Sequence, residues 1–301
     1  MTLFRGLIAY PITPLTPDDV PDLDAVANLV RGAARAGVDG VAVLASSGAG
    51  VTFDAAERAA VVGAAVDAAR AASGGDLPVH VAVSGTSTRE ILARARAARD
   101  GGASGLVLAP FSYVPLVDGE VAALFGAVAD AVDLPVCFYN KPVQTGYDVS
   151  PGMLARLART TTVSAVKDPV PLPDRPAGRV TALRDAVTGL DVGVGLSGDR
   201  ALLGSAEPAD AWHSGLAALV PAEYVVVRRA RVDGTAPDPD TDAWLRALVD
   251  VLAGLRPVSG FHALADLLGV PTAPPRGPSL PVDDAGRARL AAVVARRPAA
   301  A

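Results

Sequence analysis

Lysine is almost absent from this chain. Of the 27 lysine and arginine residues in a length of 301, only Lys141 and Lys167 are lysines. Arginine serves as the ordinary surface cation, so a lysine inside an apolar run needs a chemical reason. Its amine becomes nucleophilic when a dry pocket lowers its pKa, and a guanidinium does not. Cysteine is limited to Cys137, which excludes an internal disulfide and fits a reducing cytoplasmic setting. With no CxxC partner or neighbouring histidine, Cys137 reads as a small buried strand residue. The three histidines, His80, His213 and His262, lie on different elements without metal-ligand spacing; this points to structural roles and no metal site. No basic block exceeds a residue pair, and the net charge is −5. Nucleic acid and anionic membrane surfaces are therefore poor partners, and small molecules are the expected ones. No apolar run approaches the ~20 residues that span a bilayer, and the first residues, MTLFRGLIAYPITP, lack the features of a signal peptide.

Half of the residues are hydrophobic, enough for a large core. Short apolar runs recur along the chain: Leu7–Thr13, Val38–Ala45, Pro78–Ser84, Gly105–Pro110, Pro135–Asn140, Val163–Lys167, Val192–Gly198 and Gly215–Val220. Most carry β-branched residues on both faces, as parallel strands buried on both sides do. The segments between them are amphipathic; Leu23, Val26, Leu29 and Val30, for example, share one helical face, with Arg31 and Arg35 on another. Eight such units predict a closed (β/α)8 TIM barrel over residues 1–234. An open doubly wound sheet would place a glycine-rich phosphate turn after its first strand, and Tyr10-Pro11-Ile12-Thr13-Pro14 has no glycine. Residues 235–301 read as a C-terminal helical extension packed on the barrel, with helices over 240–255, 260–268 and 283–296 and a proline-rich connection over 271–281. Asp54 and Glu57 form the pattern of a capping box opening a helix.

In such a barrel the active groups stand where strands end. Lys167 closes the sixth strand and can attack a ketone to form a Schiff base, whose protonated iminium is an electron sink. An exposed ammonium at a strand end is the ordinary alternative. Tyr139, at the end of the fifth strand, can carry protons between substrate, water and amine. Strand alternation puts Cys137 and Tyr139 on one face, and Ala165 and Lys167 on one face of the next strand. Ser46, Ser47 and Gly48 after the second strand offer hydroxyls and backbone N–H groups to a carboxylate. Lys141, in the Tyr-Asn-Lys-Pro turn, reads first as an exposed loop cation, with assistance at the pocket mouth as the alternative.

Three stretches now acquire a resemblance: ASSGAG (45–50), YNKPVQTG (139–146) and SAVKDP (164–169). In this order they resemble the dihydrodipicolinate synthase/N-acetylneuraminate lyase family of class I Schiff-base aldolases. The resemblance runs over nearly the whole chain, with weaker support from GLIAYPITP and LSGD. It implies a 2-oxo acid, usually pyruvate, bound on Lys167, Tyr139 as proton carrier, and a carboxylate seat at Ser46 and Ser47. It also implies a homo-oligomer, tetramer or dimer, in the cytoplasm, and no metal or organic cofactor.

The chain departs from that family at the positions that meet a second substrate. Gly48 is followed by Ala49 where an acid is usual, Gln144 replaces an arginine, and Ser112 replaces a tyrosine. The run Asp168–Pro173 is stiff and apolar where relatives carry hydroxyls. Arg200 follows Asp199 where a second acid is common, and the expectation is that Arg200 replaces the missing carboxylate anchor. The leading expectation is a lyase, aldolase or hydro-lyase acting on a 2-oxo acid. A 4-hydroxy-tetrahydrodipicolinate synthase of lysine biosynthesis and a non-catalytic carboxylate-binding homologue are the alternatives.

Overall fold

The computed structural model of the chain describes residues 3–74, 76–169, 178–204 and 209–298. Its centre is a closed parallel barrel in which eight strands pair in sequence order. They are β1 (Gly6–Ala9), β2 (Gly40–Val43), β3 (Val79–Ala82), β4 (Gly105–Leu108), β5 (Val136–Tyr139), β6 (Val163–Pro169), β7 (Gly193–Ser197) and β8 (Ala211–Ser214). The barrel closes where Ile8 pairs with His213 and Ala9 with Ser214.

The connecting helices are α1 (Leu23–Ala36), α2 (Ala55–Ser73), α3 (Thr88–Asp100), α4 (Asp118–Ala131), the single turn α5 (Pro142–Thr145), α6 (Pro151–Thr160), α7 (Arg179–Ala186), α8 (Asp199–Gly204) and α9 (Pro221–Val232). Their starts follow from capping chemistry. Asp22 and Ser150 accept from backbone N–H groups of the first turn, and Asp54 with Glu57 forms the expected capping box at α2. On α1, Val26, Leu29 and Val30 are buried as expected, while Leu23, in the first turn, remains 38% exposed.

One strand lies elsewhere than expected. The apolar run 215–220 is not the eighth strand: Leu216–Ala218 forms a 3-10 turn, and the strand is the preceding Ala211-Trp212-His213-Ser214. Trp212 alternates with His213, so one side chain faces the helices and the other the barrel axis. Gly215-Leu216-Ala217-Ala218 has no β-branched residue to favour an extended chain.

The three C-terminal helices are α10 (Pro239–Ala253), α11 (Pro257–Leu267) and α12 (Asp284–Val294). α10 packs on α8 and α9, and the Trp244 indole N–H donates to Val293 O at 2.9 Å. The connection between α11 and α12 returns to the first barrel unit. Ala273 N donates to Leu15 O at 2.8 Å, and Arg276 pairs with Asp19 and Glu57. No described helix is long and apolar enough to cross a membrane.

The barrel axis is filled by Phe4, Ile8, Ala42, Ala82, Val107, Cys137, Ala165 and Ala211, with Tyr10 and Tyr139 packed in the same cluster. Small side chains on several strands leave room for a few large rings. Lys167 and His213, polar residues beside this plug, are cut off from water.

Candidate active site

The β5–β6 ladder brings the phenol and the amine together. Tyr139 and Lys167 are direct register partners, so in a parallel pair their side chains leave on the same side. Lys167 Nζ sits 4.0 Å from the Tyr139 ring centroid. The register is held beyond the strand ends as well. Asn140 N donates to Lys167 O at 2.9 Å, and Asn140 Nδ2 donates to Asp168 Oδ2 and Asp148 Oδ1 at 2.8 Å each. The buried Asp168 carboxylate also pairs with Arg179 at 3.0 Å. Asp168 is thus tied to β5 and α7, which fixes the residue beside it. The rest of the expected stiff run, 170–173, lies outside the described residues.

Lys167 is 5% exposed. Burial pulls its ammonium down to about 7; Cys137 raises it, Lys141 lowers it and Asp199 raises it. A substantial fraction is therefore free amine at neutral pH, the form that attacks a carbonyl. The exposed-ammonium alternative is excluded by this placement. Tyr139 moves the other way: burial pushes its phenol up to about 12, Ser46 hydrogen-bonds to it and lowers it, and Cys137 raises it further. Tyr139 therefore carries its proton at neutral pH. Cys137 is fully buried, as expected, and also pushed up to about 12 by burial.

The β2–α2 loop carries Ser46, Ser47 and Gly48 over the barrel end. Leu44 and Ala49, on either side, take left-handed backbone conformations with φ of 60° and 47°, uncommon for residues with a Cβ. The buried Arg58 guanidinium holds the loop by donating to Gly50 O and Ala82 O. Ser47 Oγ donates to Tyr10 O at 2.8 Å. Gly48 is closely packed, since a Cβ there would lie 3.0 Å from Pro11 O and would need its neighbours to give by a few tenths of an ångström.

Lys141 takes the second of its two expected places, at the mouth of the pocket. It is half-buried, and its Nζ donates to Ser46 Oγ at 2.9 Å and stands 5.3 Å from the Tyr139 ring centroid. Among the described residues no carboxylate pairs with it. Both lysines of the chain thus converge on Tyr139, and Lys141 is a cation available to an anionic group beside Ser46. Lys141→Met is expected to weaken the binding of a small carboxylate beside Ser46 about 10-fold or more, the worth of a hydrogen bond to a charged group; titration calorimetry with small carboxylates measures it.

Arg200 is a correction to expectation. Its guanidinium is exposed and pairs with Asp250 of α10 at 2.6 Å, because the first turn of α8 directs it to the outer helical layer. Arg200 therefore does not supply the expected anchor. Asp199, one residue earlier, is turned inward. It accepts from Tyr224 Oη at 2.7 Å and from Ser214 Oγ, and burial raises its pKa. Ser112 is half-buried after β4, and Gln144 is exposed on α5.

Two residues at the centre of the site were missed in the sequence. Tyr10 places its ring centroid 3.5 Å from Lys167 Nζ, and its hydroxyl meets His213 Nδ1 at 2.9 Å. Tyr10 was findable, since it lies two residues after the interior Ile8 at a strand end. His213 was hidden by the misplaced eighth strand.

The sequence profile of the dihydrodipicolinate synthetase family matches residues 3–297. The chain is 36% identical over 164 residues to an uncharacterised DapA-like lyase of Halobacterium salinarum, covering 54% of this chain and 53% of that protein. It is 30% identical over 167 residues to a 4-hydroxy-tetrahydrodipicolinate synthase of Methanococcoides burtonii, covering 55% of each. The matched stretch thus spans about half the length of these curated relatives. Solved structures align over almost the whole chain. The dihydrodipicolinate synthase of Agrobacterium tumefaciens has a TM-score of 0.88 and 30% identity, covering 97% of this chain and 98% of that one. YagE, a prophage protein of Escherichia coli K12 in the dihydrodipicolinic acid synthase family, solved in complex with pyruvate, has a TM-score of 0.85 and 25% identity, covering 98% of both chains.

Proposed function

Because the chain belongs to the dihydrodipicolinate synthetase family, we propose that it is a class I Schiff-base lyase acting on pyruvate or a related 2-oxo acid. The observation that carries this reading is the buried Lys167 amine, brought down to about 7 and placed 4.0 Å from the ring of a protonated Tyr139.

Lys167 Nζ attacks C2 of the oxo acid and gives a carbinolamine. Tyr139 delivers a proton to the departing oxygen, water leaves, and the iminium remains. The Tyr139 phenolate takes a proton from C3, which restores the phenol and yields the enamine; the enamine carbon adds to an acceptor carbonyl whose oxygen takes that proton, and the reverse sequence cleaves the bond. From a 2-oxo acid with a hydroxyl at the next carbon but one, the same enamine expels water. The iminium serves as the electron sink in each case. Ser46, Ser47 and the Gly48 backbone, with Lys141, receive the carboxylate of the oxo acid. Asp199 supports the site from α8 through its bonds to Ser214 and Tyr224.

The acceptor differs from that of lysine biosynthesis, because Gln144 and Ser112 stand where that enzyme's resemblance calls for an arginine and a tyrosine. The retained amine chemistry disfavours a non-catalytic binding role. Incubation with pyruvate and borohydride, followed by intact-mass measurement, tests the reading: a single reduced adduct is expected, and no adduct with any small 2-oxo acid would end it.

Self-association in the cytoplasm completes the proposal. Tyr113, Val114, Val117 and Val143 are 97%, 64%, 64% and 77% exposed, and Pro115 packs against Gly146, so the two loops form one apolar surface. A second copy of the chain fits it. Sedimentation velocity is expected to show an oligomer that Tyr113→Asp combined with Val143→Asp converts to smaller species; a monomeric wild type would remove this part of the reading.

A further inference from the structure

The amine of Lys167 is bracketed by two rings, and the mechanism above uses only one. Tyr10 lies nearer to Nζ than Tyr139 does, at 3.5 Å against 4.0 Å from ring centroid to nitrogen. It presents its face, the electron-rich part of an aromatic ring. The Tyr10 hydroxyl has one side-chain partner among the described residues, His213 Nδ1 at 2.9 Å. The bond forms in either imidazole tautomer, with the phenol donating to Nδ1 or the Nδ1–H donating to the phenol oxygen. Burial pushes Tyr10 well above its ordinary value and His213 well below its own, so both are neutral.

The surroundings of His213 are cut to fit it. Among the described residues its Nε2 is buried without a hydrogen-bond partner. A Cβ on Gly195 would lie 2.3 Å from that nitrogen, and Gly195 is the register partner of Lys167 on β7. The strand next to the amine thus gives up its side chain to admit the imidazole. A buried unpartnered nitrogen is a cost, and an aliphatic residue at position 213 would avoid it. What the imidazole does in return is hydrogen-bond the Tyr10 hydroxyl, which fixes the ring in place; in the tautomer that accepts, it also draws the O–H bond toward nitrogen and enriches the ring in electrons.

The groups facing Lys167 come from five elements: Tyr10 after β1, Cys137 and Tyr139 on β5, Lys141 after β5, Asp199 at the start of α8 and His213 on β8. Cys137 and both tyrosines are neutral, Lys141 repels a cation, and Asp199 is engaged by Ser214 and Tyr224. The Tyr10 face is the closest stabilising surface for a positive nitrogen. We propose that Tyr10 is a catalytic residue whose ring face stabilises the cation at Lys167 Nζ, as ammonium and as iminium, and that His213 is the positioning residue that holds and polarises it.

The iminium part rests on the Schiff-base reading, whereas the effect on the free amine does not, and the test uses the free amine. The full chain is labelled with acetic anhydride across a pH series, and the extent at Lys167 is read by peptide mass spectrometry with Lys141 as the internal reference. Tyr10→Leu is expected to lower the half-point for Lys167 by about one pH unit or more, the scale of a desolvated cation–π contact. His213→Leu is expected to lower it by less, and His213→Asn, whose amide oxygen accepts from the Tyr10 hydroxyl, to restore it. In a Tyr10→Phe background His213→Leu is expected to change nothing further. An unchanged half-point in Tyr10→Leu overturns the proposal, as does an equal effect of His213→Leu with and without the Tyr10 hydroxyl. Should Tyr10→Leu fail to fold, Tyr10→Met, which also removes the ring, decides, a lowered half-point supporting the proposal and an unchanged one overturning it. Because no 2-oxo acid is present, a failure here is distinct from a failure to trap pyruvate.

Discussion

Replacing Lys167 with alanine is expected to abolish the borohydride-reduced pyruvate adduct and, with it, the exchange of pyruvate methyl protons for deuterium in heavy water. The exchange is read by proton NMR and needs only the first half of the reaction, imine then enamine, so the unknown acceptor does not enter. The scarcity of lysine makes the result unambiguous, since Lys141 is the only other lysine in the chain. An adduct of undiminished yield in Lys167→Ala would transfer the chemistry to Lys141 or the N-terminal amine. In the wild type, exchange is expected to rise as pH passes through about 7, where Lys167 loses its proton, well below the ordinary lysine value.

The same burial has a consequence for stability. The folded-state pKa of Lys167, about 7, lies below its ordinary value of 10.5. Between these values the unfolded chain binds one more proton, so stability rises with pH across that interval. The penalty of burying the amine is full below pH 7 and gone above 10.5. Lys167→Met, which keeps the length of the side chain without the charge, is expected to stabilise the protein by roughly a few kcal/mol below neutrality. Urea unfolding at several pH values should show this gain shrinking to nothing at high pH. A gain independent of pH would mean that the amine is solvated.

Tyr139→Phe gives the second large effect. It preserves the ring beside Lys167 Nζ and removes the proton-carrying hydroxyl, so amine position and proton transfer are separated. Exchange of pyruvate methyl protons is expected to slow by about 10²- to 10⁴-fold, the usual contribution of a placed acid or base. The reduced adduct should still form on long incubation, because borohydride drains even a slowly formed imine. Exchange at the wild-type rate would assign the proton transfer elsewhere, and Ser46, hydrogen-bonded to this phenol, would be the next group to change. Complete loss of the adduct would point to a structural role for the hydroxyl in holding Ser46 and Lys141.

The parts of the site read correctly from sequence are those set by local periodicity. Alternation along β5 and β6 put Tyr139 and Lys167 at strand ends on matching faces, and the β5–β6 register pairs them directly. Asp54 and Glu57 were legible for a similar reason, because a capping box is closed within four residues. The errors have a common origin in contacts that periodicity does not encode. The eighth strand was assigned to the more apolar run 215–220, although the short Ala211–Ser214 completes the barrel. Arg200 was given the site because it follows Asp199 in the chain, but one step along α8 turns it toward Asp250. For Lys141 the turn sequence leaves solvent and pocket mouth both open; Ser46, 95 residues away in sequence, decides for the pocket mouth.

By itself the sequence determined the repeated strand and helix periods, the barrel they build and the isolation of one nucleophilic amine at a strand end, because each depends on side-chain alternation over a few residues. Only the tertiary structure decided what surrounds that amine. Tyr10 and His213, 203 positions apart, meet because β1 and β8 join to close the barrel, and they face Lys167 because Gly195 leaves the space. Closure of a ring of strands is a global constraint, and it brings first and last strands into contact across a distance that no local pattern records.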